Sequence, residues 1–105
     1  MDSCPPECCD MRGMLSFQIL WLLKKKPMHG QALAEEIAKR RGTKPTPGTI
    51  YPALKDLKNR GLIEGEKSGK SIVYSLTNKG ERGVRNACQY FCKAFGEIFE
   101  EHKSR

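Results

Sequence analysis

Four residues able to touch phosphates or base edges, Thr46, Gly48, Thr49 and Tyr51, stand together in "TPGTIY", and Lys55 and Lys58 follow at one-turn intervals. Hydroxyls donate and accept hydrogen bonds, glycine admits a close backbone, and lysine neutralises anions. Ile50, Leu54 and Leu57 interleave with them and fall within about 60° of one another on a helical wheel, with Ala53 at their edge. One helix would therefore bury the apolar set and present the polar set, which a helix must do to enter a nucleic-acid groove. Lys67 and Lys70 come next, on either side of a Ser68-Gly69 turn signal, where a hairpin tip can meet a phosphate backbone. Taken singly, lysines on a helix are usually only solvated, and Tyr51 could pack at a core edge. Their grouping on one helix front and one basic hairpin favours DNA.

A second constellation is built from thiols. Cys88 and Cys92 lie one helical turn apart, and Cys4, Cys8 and Cys9 cluster near the start of the chain. An i, i+4 pair can point both sulfurs at one ion, and the N-terminal three could complete a thiolate site for zinc or iron. A disulfide is the other chemical option, and plain packing of small apolar residues is the simplest one. The spacing is that of no familiar zinc motif. Enzyme chemistry has no foothold: His29 and His102 are far apart, no carboxylates pair in a plausible cleft, and "TPGTI" holds a single glycine rather than a phosphate cradle.

The elements that must position these groups are legible from periodicity. Apolar residues Leu15, Ile19, Leu22 and Leu23 predict a helix over 14–26, with Lys24, Lys25 and Lys26 suiting its negative end and Pro27 stopping it. Leu33, Ala34, Ile37 and Ala38 predict a second helix over 30–41, ended by Gly42. The third starts either with Thr46 as N-cap and Pro47 at N1, or with Thr49 as N-cap and Pro52 at N3; Arg60 and Gly61 close it. "LIEGEK" and "SIVYSL" then alternate as a hairpin, with Ile72, Tyr74 and Leu76 on one face. Thr77 can cap a long last helix reaching about His102, with the stripe Val84, Ala87, Cys88, Phe91, Phe95, Ile98 and Phe99. Three helices, a hairpin and a long helix make a mainly α winged helix-turn-helix with an added C-terminal helix. Residues 1–12 are an irregular cysteine-rich tail, 13–76 the winged domain and 77–105 a dimerisation helix. The stripe is too apolar to face water on so small a domain, so a second copy of the chain is expected to cover it.

Charge follows the same geography. The chain of 105 residues has a formal net charge of +7, and residues 24–70 alone hold 12 Lys and Arg against 5 Asp and Glu. A basic middle favours a polyanion over an acidic small substrate. The first residues carry Asp2, Glu7 and Asp10 rather than a basic signal-peptide region, and "MLSFQILWLL" is too short to span a bilayer. A cytoplasmic protein with no membrane contact is expected.

"KKKPMHGQALAEEI" (24–37), "PTPGTIYPALKDLKNRGLI" (45–63) and "VYSLTNKG" (73–80) resemble the PadR family of phenolic acid decarboxylase repressors, in the same order and at the expected separations. The similarity extends over about residues 14–85. The recognition motif is matched by Pro47, Gly48, Thr49, Ile50, Tyr51, Pro52, Leu54, Leu57, Gly61, Leu62 and Ile63. The resemblance implies a dimeric regulator, mostly a repressor, of the short subclass with one C-terminal helix. The two-fold symmetry of such a dimer predicts a near-palindromic operator, and the resemblance implies, for some members, a small-molecule effector between the halves of the dimer. Trp21, Tyr90, Phe91 and Phe95 could line such a pocket or fill a core. Two departures stand out: Gln31 replaces the tyrosine usual after the His-Gly pair, and the wing "SGKSIVY" is poorer in basic and aromatic residues, keeping Lys70 and Tyr74. His29 matches a loop position of the family. A rival reading from another class is a winged-helix module that holds protein rather than DNA.

Overall fold

In a computed structural model, residues 14–103 are described as four helices and a small sheet. Helix α1, Leu15–Lys25, buries Leu15, Ile19, Leu20, Leu22 and Leu23, and its last turn carries Lys24 and Lys25 at the negative end of the helix dipole. Pro27 cannot continue it, and the chain turns into a two-residue strand β1, Met28–His29. Helix α2, Gly30–Arg41, buries Leu33, Ala34 and Ile37. It ends on Gly42 at φ 81, a left-handed conformation that costs glycine nothing. Helix α3, Pro47–Asn59, takes the Thr46 register: Thr46 is the N-cap and Pro47 the first helical residue. Pro52 then sits in the second turn, where its missing donor leaves the Gly48 carbonyl without a helical partner. Gly48 is an exposed residue, so water can take the missing donor's place.

Strands β2, Ile63–Ser68, and β3, Ser71–Leu76, pair antiparallel from Ile63↔Leu76 to Ser68↔Ser71, leaving Gly69 and Lys70 as the turn. Strand β1 adds to the other edge of β3 through Met28↔Tyr74 and His29↔Val73, giving the order β1-β3-β2. Nothing local in "PMHG" predicts a strand; pairing with the distant hairpin creates it. Helix α4, Asn78–Lys103, runs 26 residues. The core lies where α1, α2, α3, the sheet and the start of α4 meet, with Ile19, Leu33, Ile37, Leu54, Leu57 and Val84 almost wholly buried.

Thr77 joins the hairpin to α4. Its hydroxyl accepts from the Gly80 amide at 3.0 Å, a cap, and donates to the Gly61 carbonyl at 2.6 Å. Its own amide donates to the Leu62 carbonyl at 3.1 Å. This latch brings α4 so close to the chain leaving α3 that a Cβ at Gly80 would lie 1.9 Å from the Leu62 oxygen.

Candidate nucleic-acid interface

The polar set of α3 stands together on the exposed face while Ile50, Leu54 and Leu57 point into the core. Thr46, Gly48, Thr49, Tyr51, Lys55 and Lys58 are all exposed. The Thr46 hydroxyl is not spent on capping; it meets the Thr49 hydroxyl at 3.2 Å, so the pair presents a shared donor and acceptor at the helix start. Gly48 is informative because nothing among the described residues crowds it. Its nearest neighbour to a built Cβ would be the Thr46 hydroxyl at 3.8 Å, and its φ is not positive. A glycine demanded neither by conformation nor by internal packing leaves room for something outside.

Tyr51 leaves the α3 axis and lies over the first residue of α2: a Cβ on Gly30 would stand 2.8 Å from Tyr51 Cε1. Lys70, at the wing turn, shares a cavity of about 550 Å³ with Tyr51 and the start of α2. Lys67 is exposed on β2, paired with Ile72 across the hairpin. Tyr74 lines the same cavity from β3, a place that strand alternation does not reveal, since it marks Tyr74 only as a core residue. Burial, and next the neighbouring Tyr51, push its hydroxyl pKa up. On the outer face of α2, hydrogen bonds from Arg40 and then Lys39 hold the Glu36 carboxyl below its usual range.

The stripe of α4 divides in two. Val84 and Ala87 are buried within the chain, and Cys88 and Phe91 are half-buried, Phe91 stacking on Phe17 of α1 at 5.4 Å. Beyond them Phe95, Ile98 and Phe99 are 38%, 60% and 49% exposed. Phe95 and Phe99 extend the ring stack from Phe91 at 5.0 and 5.7 Å. Between α1, the end of α2 and α4 lies a cleft of about 420 Å³, with Phe17, Trp21 and Phe91 as its apolar walls and Cys88 and Cys92 on one side. Arg40 stands over the Trp21 ring at 5.5 Å, and Lys25 at 4.3 Å. Burial raises the Cys88 thiol pKa, with Lys24 pulling the other way. Tyr90 is exposed. Cys4, Cys8 and Cys9 lie outside the described residues, and among the described residues no three metal-ligating side chains come together. His29 is exposed at the N-cap of α2, and His102 is exposed near the end of α4.

A helix-turn-helix backed by a β-wing, with a clean polar face on the second helix of the pair, defines a winged helix-turn-helix protein. The sequence model of the transcriptional regulator PadR-like family matches residues 19–86, well over half the chain. The chain belongs to that family, whose members are DNA-binding transcription regulators and not enzymes. Solved structures agree. A PadR-like transcription factor from Bacteroides fragilis is 30% identical with a TM-score of 0.66, over 85% of this chain and 89% of that one. A PadR family transcription regulator from hypervirulent Clostridium difficile is 25% identical with a TM-score of 0.69, over 83% and 99%. RosR of H. salinarum is 26% identical with a TM-score of 0.74, over 90% and 92%. Among curated protein sequences none matches the chain significantly. No described helix is long and apolar enough to cross a membrane.

Proposed function

We propose that the chain is a cytoplasmic homodimeric repressor that binds a near-palindromic operator. The observation that carries this reading is the front of α3: a hydroxyl pair, an uncrowded Gly48 and two outward lysines on a helix whose other side is sealed in the core. Thr46, Gly48, Thr49 and Tyr51 meet the groove; Lys55 and Lys58, with Lys67 and Lys70 of the wing, meet phosphates. The exposed end of the α4 stripe supports the dimer, since Phe95, Ile98 and Phe99 are large apolar side chains that the other described residues leave exposed. Two-fold symmetry of the dimer requires half-sites about one helical turn, or a multiple of it, apart.

Titrating a selected operator and a mixed duplex across a salt series tests this. Thr49→Ala should narrow the difference between the two duplexes. Lys55→Ala or Lys58→Ala should weaken both alike and lower the salt slope by about one unit for each phosphate no longer neutralised. Lysine variants with unchanged affinity and slope would refute the docking. Phe95→Glu should give monomer or aggregate in light scattering, and an intact dimer of unchanged stability would refute the assigned interface.

The cleft favours a second reading for control. Its aromatic walls and Arg40 rim suit a small-molecule effector, and the thiols of Cys88 and Cys92 suit zinc, iron or oxidation, with Cys4, Cys8 and Cys9 as further thiols of the same chain. Anaerobic protein that carries metal in proportion to chains, lost in Cys88→Ser with Cys92→Ser, would support metal control. Metal-free protein with five titratable thiols and unaltered operator binding would leave these cysteines as packing residues.

A further inference from the structure

The seam between α2, Tyr51 and the wing holds more polar chemistry than groove docking uses. Tyr74 is only 8% exposed, yet among the described residues nothing hydrogen-bonds its hydroxyl. No polar side-chain atom of the described residues is sealed away unpaired, so that hydroxyl opens into the cavity its ring lines. The Tyr51 ring reaches the same cavity from α3, its hydroxyl 3.0 Å from where a Cβ of Gly30 would stand. Both rings are seated on glycines. A Cβ at Gly30 would strike the Tyr51 ring at 2.8 Å, and one at Gly65 would press the Tyr74 ring at 3.3 Å and Ile72 at 2.8 Å.

The cavity also receives the first turn of a twelve-residue helix. His29, the N-cap of α2, is extended and makes no side-chain capping bond, so the first amides of α2 keep no capping side chain. Amides without a capping side chain and the positive end of the dipole favour an anion there. Lys70 faces the cavity from the wing turn; Glu35, one turn into α2, is the carboxylate among the lining residues and opposes an anion. Two open phenols, a helix N-terminus and a lysine, on a site of about 550 Å³, form an anion site rather than an apolar one. Its position selects the anion, because the first helix of a helix-turn-helix crosses the DNA backbone while the second enters the groove.

We infer that this cavity clamps one backbone phosphate of duplex DNA, with the Tyr51 and Tyr74 hydroxyls and the first amides of α2 donating to its oxygens and Lys70 supplying charge. The inference rests on the DNA-binding reading above. It moves Tyr51 from the groove-reading set to the backbone contacts, so that Tyr51 and Tyr74 are sequence-independent anchors while Thr46, Gly48 and Thr49 keep the groove, with Gly30 and Gly65 as positioning residues that hold the rings.

Fluorescence anisotropy with a mixed-sequence duplex over a salt series tests the clamp on wild type, Tyr74→Phe, Gly30→Ala and Lys55→Ala. Tyr74→Phe keeps the ring and removes one donor to a charged oxygen, so affinity should fall about tenfold at every salt concentration. The salt slope should stay unchanged, since a neutral hydroxyl displaces no counterion. Gly30→Ala, which removes no polar atom but displaces the Tyr51 ring, should weaken binding in the same way while circular dichroism stays native. Glu35→Gln should tighten binding. Tyr74→Phe with wild-type affinity, beside a Lys55→Ala that loses slope, would overturn the clamp and leave DNA binding standing. A wild-type protein that binds no duplex would overturn both. Inorganic phosphate at constant ionic strength should compete only weakly with the duplex; a Tyr74→Phe protein that loses saturable binding of inorganic phosphate yet keeps wild-type duplex affinity would make this a pocket for a small free anion and overturn the clamp.

Discussion

Gly80→Ala should unfold this protein more readily although alanine is the better helix former, and the latch between the hairpin and α4 sets the size of the effect. A Cβ at Gly80 would lie 1.9 Å from the Leu62 oxygen, whereas uncharged heavy atoms settle at about 3.5 Å or more. The obstacle is backbone, so no side-chain rotation relieves it. The start of α4 must retreat by more than an ångström, and three hydrogen bonds break as it does: Thr77 amide to Leu62 carbonyl, Thr77 hydroxyl to Gly61 carbonyl, and Lys79 Nζ to the Arg60 carbonyl at 2.9 Å. At roughly 1 kcal/mol each the loss is about 3 kcal/mol, and loosened packing at Val84 adds to it. The gain in helix propensity returns about 1 kcal/mol, leaving a net loss of about 2–3 kcal/mol. For a domain of this size that lowers Tm by ~10–20 °C. Gly83 is the internal control. Its Cβ would meet Leu62 Cδ2 at 3.6 Å, an ordinary van der Waals distance, so Gly83→Ala should raise Tm by a few degrees. Calorimetry of the three proteins at one fixed concentration decides the matter. A Gly80→Ala protein melting at or above the wild type would refute the close approach.

Thr77→Ala removes both the cap to Gly80 and the donor to the Gly61 carbonyl, and should cost about 2 kcal/mol in urea unfolding; a loss under about 0.5 kcal/mol would deny the cap its part. In alkylation, Cys92 should react before Cys88, because burial holds the Cys88 thiol protonated to higher pH; mass mapping of singly modified protein at mildly alkaline pH checks the order, and equal rates would contradict it. An effector that enters the cleft should change Trp21 fluorescence, and should do so less in Phe17→Ala, which removes a wall; a ligand that shifts DNA affinity with no Trp21 response binds elsewhere.

What the sequence determined by itself is whatever local physics decides. The helices follow from apolar spacing, and their ends from Pro27, Gly42 and the Thr46-Pro47 pair, since proline and left-handed glycine limit the backbone regardless of context. The polar face of α3 was legible for the same reason: a helix that buries Ile50, Leu54 and Leu57 has no choice about where Thr49 and Lys55 point. Even so, two capping registers for α3 satisfied the local rules, and packing selected the one beginning at Pro47. Only tertiary structure decided the rest. Strand β1 exists because β3 offers it an edge, and a two-residue strand has no local signal. The α4 stripe reads as uniform, yet Val84 and Ala87 are buried in the core while Phe95 is left exposed past the Phe17–Phe91 contact, because α1 is 11 residues long and α4 is 26. The seat of Tyr51 on Gly30, and the meeting of Tyr74, Lys70 and the start of α2 in one cavity, join residues more than twenty positions apart. Periodicity describes one element at a time, and a site made where three elements meet is a property of how they pack.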